Sequence, residues 1–189
     1  MANKPVKNYL SQYPKRRITR KEAELRVTIG ETISNKGEES KKARAVLERI
    51  PYITIATSNK KSVPWNTPVF CAYDKDYNFY WISSRECVHS VNIEANPNVA
   101  LVVYDSTVPD GEGIGVYIKA RARILESRPR IRKALELLYK RKHRAVPSAG
   151  DFVGAPRGVY KATTSAFWIN DLKKKAGEFR YLRMEIQLK

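Results

Sequence analysis

Residues 79–101 read FYWISSRECVHSVNIEANPNVAL and carry the strongest indication of the fold. It opens on an aromatic run typical of a strand, which ends at the polar Ser83-Ser84-Arg85. Residues 88–95 then predict a short helix, closed by Asn96-Pro97 because the residue before a proline disfavours helical backbone. Residues 99–104 are almost wholly apolar, which predicts a strand buried on both faces. The stretch therefore predicts strand, helix and strand.

The start of this predicted helix is a candidate phosphate site. The first backbone N–H groups of a helix lack partners within it, and the helix dipole places positive charge there. The side chains that would add hydroxyl and cationic donors are Ser83, Ser84, Arg85, His89 and Ser90. The structural alternative is that Ser84 or a neighbour simply caps the helix.

The remaining sequence predicts mostly strands. Seven are predicted in all, at residues 52–57, 66–73, 77–83, 99–104, 116–125, 159–169 and 179–187. Two longer helices are predicted, at 38–50 and at 128–144; in the second, an apolar stripe recurs at helical spacing, formed by Ile131, Ala134, Leu135 and Leu138. Consecutive strands with turn-length links favour antiparallel pairing in a small barrel, so the fold class is mainly β with helical insertions.

The charge of the chain is concentrated in its flanks. The 189 residues carry 36 Lys+Arg against 19 Asp+Glu, a formal net charge of +17. Residues 1–37 hold +6 and residues 127–189 hold +11, whereas residues 38–126 are neutral. We expect residues 1–37 to be a basic arm and 38–189 to be the folded domain. The basic flanks favour, as an alternative function, a non-enzymatic protein that binds nucleic acid or an acidic partner.

Several other kinds of protein and site are not expected. No apolar run approaches the roughly 20 residues that span a bilayer, and the first residues lack the apolar core of a secretory signal. Cys71 and Cys87 are too few for a disulfide framework, which favours a reducing cytoplasmic location. Two histidines and no Cys-x-x-Cys disfavour a metal site, and Gly111–Gly115 lacks the features of a phosphate loop. We therefore expect any chemistry to belong to a cofactor.

At this point the sequence resembles the pyridoxamine 5′-phosphate oxidase-like, flavin-binding split-barrel superfamily. The resemblance spans about residues 40–126 and rests on NTPV at 66–69, FYWISS at 79–84 and, most specifically, Asn-x-x-x-Asn-Pro-x-Val-Ala-Leu at 92–101. It implies a six-stranded antiparallel split barrel. It also implies a homodimer with FMN bound across the subunit interface.

The resemblance also implies which residues hold the cofactor. The strand beside the flavin ring corresponds to Asn66, Thr67, Pro68 and Val69. The next strand end and short helix, which hold the phosphate, correspond to Ile82, Ser83, Ser84, His89 and Ser90. Trp168 is the aromatic residue expected to reach the cofactor of the partner subunit.

The chain departs from the oxidases of that superfamily at several positions. Val88 and His89 stand where those oxidases carry basic residues, and the C-terminal arginine and histidine that read the vitamin's phosphate have no match. We therefore do not expect vitamin B6 oxidation. The resemblance implies an FMN-binding oxidoreductase acting on a small molecule, with a deazaflavin or haem as the alternative cofactor.

Overall fold

The computed structural model describes residues 36–109, 111–171, 174–175, 178–179 and 182–188, and the arm predicted at 1–37 lies outside them except for its last two residues. In this part of the chain there are three α-helices, α1 (Lys36–Arg49), α2 (Val88–Ala95) and α3 (Arg128–Arg141). The strands are β1 (Tyr52–Ser58), β2 (Pro64–Phe70), β3 (Ala72–Tyr73), β4 (Phe79–Ser84), β5 (Asn98–Tyr104), β6 (Gly115–Ile124), β7 (Arg157–Asp171), β8 (Lys174–Lys175), β9 (Glu178–Phe179) and β10 (Leu182–Ile186).

Eight of these strands form one sheet, in which every pairing is antiparallel. The order is β2-β1-β5-β6-β7-β4-β3, and β10 pairs with β7 beside this path. The strands β8 and β9 form a separate two-stranded ladder. The predicted strand at 179–187 is thus divided between β9 and β10.

The first and last strands of this order, β2 and β3, are consecutive in the chain and are separated by a single residue, Cys71. β2 pairs with β1, and β3 pairs with β4, so one interrupted strand returns the sheet upon itself. Among the described strands β2 pairs with β1 alone, which leaves its other edge open, and it carries Pro64 and Pro68, which cannot donate to a ladder and suit an edge. The expected mainly β, antiparallel split barrel is therefore confirmed.

The main core fills the inside of the barrel. Alternate residues of β1 and β6 point inward, as their burial shows, and meet Trp81 and Phe79 from β4. Helix α1 adds Ala43, Val46 and Leu47 to this core and packs against β5, β6 and β10. Its predicted position at 38–50 agrees with the structure to within two residues.

Helix α3 lies on the outside of the barrel, against β3, β4 and β7. All four residues of its predicted apolar stripe are buried, at 1% exposure or less, in a second cluster with Tyr80 and Val159. The prediction of an amphipathic helix with a basic outer face is confirmed, although the helix ends at Arg141 rather than Arg144. None of the described helices is long and apolar enough to cross a membrane.

The expectation that β5 is buried on both faces is wrong for this chain. Val99, Leu101 and Val103 are buried, whereas Ala100 and Tyr104 on the opposite face are exposed. β5 lies between β1 and β6, and α3 covers the outer face of β3, β4 and β7 but not that of β5. An apolar run predicts that both faces of a strand are covered, but it does not say whether the covering surface belongs to the same chain.

Candidate functional site

Helix α2 crosses the end of the barrel and packs against β1, β2 and β6. Two asparagines of the motif at 92–101 fix its position. Asn92 Nδ2 donates to Thr57 Oγ1 at 3.1 Å, and Asn96 Nδ2 donates to Ser58 Oγ at 3.0 Å. The four-residue spacing of the motif therefore has a physical purpose, which is to hold one side of α2 against β1.

The start of α2 has no side-chain cap. Cys87 occupies the N-cap position, and its side chain accepts no capping hydrogen bond. Ser84 Oγ instead accepts from the Glu86 backbone N–H at 3.3 Å, two residues before the helix. The interpretation of Ser84 as the cap of α2 is therefore wrong. The Ser90 N–H donates to the Cys87 carbonyl at 2.9 Å, so the N–H groups of Val88 and His89 are the ones that precede the first hydrogen bond of the helix and face its positive end.

Cys87 lies at the centre of a small polar cluster. Its Sγ is 3.0 Å from the Ser84 carbonyl oxygen, to which the thiol donates, and 3.1 Å from Ser90 Oγ. It also lies 3.3 Å from His89 Nε2. The thiol thus joins the end of β4 to the first turn of α2.

His89 is buried behind Cys87 and forms a hydrogen bond with Ser83. His89 Nε2 is 2.9 Å from Ser83 Oγ, and both side chains are less than a tenth exposed. Burial lowers the pKa of His89 below its usual value, because the charged imidazolium would lose hydration. His89 is therefore a neutral hydrogen-bonding group near pH 7.

Tyr160 from β7 completes the cluster from below. Burial raises the pKa of its phenol, and the neighbouring Ser90 hydroxyl opposes that rise. Its ring stacks on Trp81 at 5.6 Å between centroids. Sequence reasoning missed both Cys87 and Tyr160 as members of this site. The position of Cys87 directly before the predicted helix could have indicated it. Tyr160 lies at the site only because β4 pairs with β7, and no local sequence pattern predicts that pairing.

Arg85 adds a positive charge near the start of α2, but it is already hydrogen-bonded to backbone carbonyls of the same chain. Its Nε donates to the Ala155 carbonyl at 2.8 Å, and its backbone N–H donates to the Pro156 carbonyl at 2.9 Å. Both bonds hold the end of β4 against the segment before β7. The donors at the start of α2 are thus mainly neutral hydroxyl and N–H groups.

The residues predicted on β2 divide between two faces. Asn66 and Pro68 are exposed, and Thr67 is half-buried and accepts a hydrogen bond from Trp65 Nε1 at 2.9 Å. The side chain of Val69 lies in the main core. Ile82 of β4 is likewise directed away from the cluster, since it packs with the residues beneath α3.

Trp168 lies at the other end of β7. Ser83 pairs with Gly158 in the β4–β7 ladder, whereas Trp168 pairs with Tyr117 of β6. Ten residues of strand separate Gly158 from Trp168, which corresponds to ~33 Å at the usual rise per residue. Within one chain, the structure does not bring Trp168 to the start of α2.

An open groove of about 740 Å³ flanks α2 on the side of the β1–β2 turn. Its lining residues are Asn59, Lys60, Lys61, Val91, Asn92, Glu94 and Ala95. The two lysines add positive charge beside the helix.

Fold and site together define a split-barrel protein in which the start of α2, without a side-chain cap, lies beside the end of β4. A family model described as pyridoxamine 5′-phosphate oxidase matches residues 40–170, and the chain belongs to this family. The family resemblance stated from the sequence is therefore confirmed. No curated protein matches the chain.

Solved structures of the same architecture carry different names. The haem storage protein HutZ from Vibrio cholerae is 12% identical, with 66% of this chain and 89% of that chain covered and a TM-score of 0.58. ChuZ from Campylobacter jejuni is 14% identical over 76% and 59%, with a TM-score of 0.61. An F420 reductase is 21% identical over 66% and 94%, with a TM-score of 0.50. At these identities the likeness shows the fold alone.

Proposed function

We propose that the protein is a homodimeric FMN-binding oxidoreductase that acts on a small molecule. The observation that carries this proposal is the uncapped start of α2, where backbone N–H groups lie beside the Ser84 hydroxyl and the Cys87 thiol. A phosphate at a helix start gains from both the free N–H groups and the helix dipole. The Asn92 and Asn96 bonds to β1 would keep this helix start fixed.

The residues at the site fit a phosphate held by neutral donors. Ser84 is exposed and Cys87 is half-buried, so both would meet the phosphate first. The side chains of Ser83, His89 and Ser90 are buried behind these two residues. Their hydrogen bonds to one another and to Cys87 would orient the groups that contact the phosphate. The exposed Asn66 and Pro68 on the edge strand β2 would lie along the flavin ring, as the resemblance implies.

A dimer is supported by the apolar side chains that one chain leaves in water. The exposed large residues include Tyr52, Val63, Trp65, Val88, Val91 and Tyr104. Three of these residues lie on β1, β2 and β5, which are neighbours at one side of the sheet order, and two lie on α2, which packs against β1 and β2. Exposed apolar groups concentrated in this way are typical of an interface. In the dimer, Trp168 would approach the cofactor of the partner subunit.

Bound FMN would supply hydride transfer, and the chain would supply position and hydrogen bonds. The two free cysteines, Cys71 and Cys87, suit a reducing cytoplasm. A deazaflavin or haem in the same barrel is the alternative that the experiment below separates from FMN.

The proposal is tested by the absorption spectrum of the purified protein, before and after incubation with FMN and gel filtration. We expect flavin bands and a dimer in light scattering. Ser84→Asp places a negative charge beside the phosphate and should abolish retention of FMN. Ser127→Asp is the matched control, because Ser127 is the N-cap of α3, where aspartate is favoured.

Two results would overturn the FMN proposal. One is a colourless protein that retains no added FMN. The other is retention of haem or of a deazaflavin in its place. Equal retention by the Ser84→Asp variant and the wild type would remove the start of α2 as the phosphate site.

A further inference from the structure

A second groove lies along the outer side of α3, and it shares no lining residue with the groove beside α2. It has a volume of about 820 Å³, and one wall is the first half of α3 while the other is the return segment 146–150. The residues that line it are Arg128, Pro129, Arg132, Glu136, Val146, Pro147, Ser148, Ala149 and Gly150. The apolar stripe of α3 faces the barrel, so the groove belongs to the helix's exposed basic side.

The charge of this surface is strongly positive. Residues 128–144 carry eight basic side chains and one acidic one, Glu136. Glu136 accepts from Arg132 Nε at 3.1 Å, and it is the one ion pair that α3 makes within the described part of the chain. Arg128, Arg130 and Lys133 are exposed around the first half of the helix. Such a field attracts an anionic partner and repels a second copy of the same surface.

The walls of the groove also offer apolar contact. Val146 is 46% exposed, although it is aliphatic, and it lies with Pro129 and Pro147 in the lining. The described lining includes no aromatic ring, so it offers no platform on which a nucleic-acid base would stack. Arginine beside an aliphatic pocket instead suits a carboxylate-bearing peptide with an apolar anchor.

We propose that this groove, formed by α3 and residues 146–150, docks an acidic protein segment that carries aliphatic side chains. Arg128 and Arg132 bind its carboxylates, and the pocket at Val146 and the two prolines receives an aliphatic side chain. This surface is separate from the strands that carry the exposed apolar residues, since α3 covers β3, β4 and β7 rather than β1, β2 and β5. The proposal is therefore independent of the cofactor and of dimer formation.

The test measures fluorescence anisotropy of a labelled peptide of alternating glutamate and leucine with the full-length protein. Two further probes are the same peptide with serine in place of leucine, and a single-stranded oligonucleotide of equal charge. Arg128→Glu with Arg132→Glu should weaken binding of the leucine peptide at least about tenfold. Glutamate at position 128 lies in the first turn of α3, where it is favourable. Glutamate at position 132 loses the ion pair with Glu136, but both positions are exposed and such a pair contributes little to stability, so the double variant should keep its fold, which circular dichroism checks.

Two controls separate the groove from general attraction to positive charge. Lys60→Glu with Lys61→Glu makes the same charge change in the β1–β2 turn and should leave affinity within about twofold. Val146→Ser should weaken binding of the leucine peptide and leave binding of the serine peptide unchanged.

Three results would overturn the proposal: no saturable binding of the leucine peptide, equal losses in the two charge-reversal variants, or tighter binding of the oligonucleotide than of the leucine peptide. The last result would assign the surface to nucleic acid.

Discussion

Asn92 and Thr57 are buried together, and the Asn92 amide donates to Thr57 Oγ1 at 3.1 Å. The Thr57 hydroxyl in turn donates to the Trp65 carbonyl at 3.4 Å. This chain of two bonds connects α2 to β1 and β1 to the edge strand β2. The helix start and the edge strand proposed to hold the two ends of a cofactor are thereby positioned against one another.

Asn92→Ala should destabilise the protein by about 2 kcal/mol, because it leaves the buried Thr57 hydroxyl without its donor and opens a small cavity. Urea denaturation followed by circular dichroism measures the loss. Asn98→Ala is the matched control, since Asn98 is exposed, and its cost should stay within about 0.5 kcal/mol. Equal losses in the two variants would contradict a special role for the Asn92 bond.

His89 should make the stability of the protein depend on pH. Its pKa in the folded chain is lowered by burial, whereas the unfolded chain returns it to about 6.5. The unfolded state then binds more protons between these two values, so the contribution of His89 is fully present above about pH 6.5 and is lost as the pH falls toward the folded pKa.

The measurement is the urea midpoint between pH 7.5 and 5, compared between wild type and His89→Asn. Asparagine keeps a polar partner for Ser83 but does not titrate, so the variant should show a smaller fall. His143→Asn is the control, because His143 is exposed and its positive φ of 52° is one that asparagine tolerates. An identical pH dependence in His89→Asn and wild type would refute the assignment.

Much of the fold follows from local pattern, and α3 shows why. Ile131, Ala134, Leu135 and Leu138 recur at helical spacing, and a stripe of that width must be buried whatever covers it. The strands were predicted for the same reason, since alternation and turn residues are local properties. The division of the last strand between β9 and β10 was not predicted, because β9 pairs with β8 and β10 with β7, and the choice of pairing partner is not a local property of the sequence.

The site was predicted less completely than the fold. Ser83, Ser84, His89 and Ser90 are close in sequence, and the structure brings them together at the start of α2. Tyr160 joins them only because β7 pairs with β4, and no local signal carries that register. The prediction for β5 failed for a similar reason. An apolar run does not distinguish a strand inside the core from one whose outer face a second chain would cover.

Arg141 joins the ends of two helices, and its removal should cost about 2–3 kcal/mol. Its Nη2 donates to the carbonyls of Leu47, Glu48 and Ile50 at 2.7, 2.9 and 3.0 Å, at the end of α1. The positive charge also complements the negative end of the α1 dipole. Arg141→Met keeps much of the apolar stem but leaves these carbonyls unpaired.

Urea denaturation again measures the effect, and Lys140→Met is the matched control on the exposed side of α3. The control should stay within about 0.5 kcal/mol. Arg141→Lys should recover part of the loss, because an ammonium provides a charge but not the planar fork. Full recovery by lysine would show that charge alone, and not the three bonds, stabilises this junction.

The two cysteines should differ sharply in reactivity. Cys71 is buried at the junction of β2 and β3, and burial raises the pKa of its thiol to about 12. Because the thiolate is the reacting form, such a thiol holds roughly a thousandfold less of it near pH 8 than an ordinary cysteine. Cys87 is half-buried at the start of α2, where reagents can reach it.

Iodoacetamide treatment of the native protein without bound FMN, followed by mass spectrometry, should therefore add one group per chain, at Cys87. Cys71 should react only after denaturation. Cys87→Ser should leave the native protein unmodified, and the same variant in denaturant should take up one group, which verifies that Cys71 is present and reduced. Modification of Cys71 in the native state at a rate near that of Cys87 would mean that the junction between β2 and β3 opens readily, which contradicts a barrel closed at that residue.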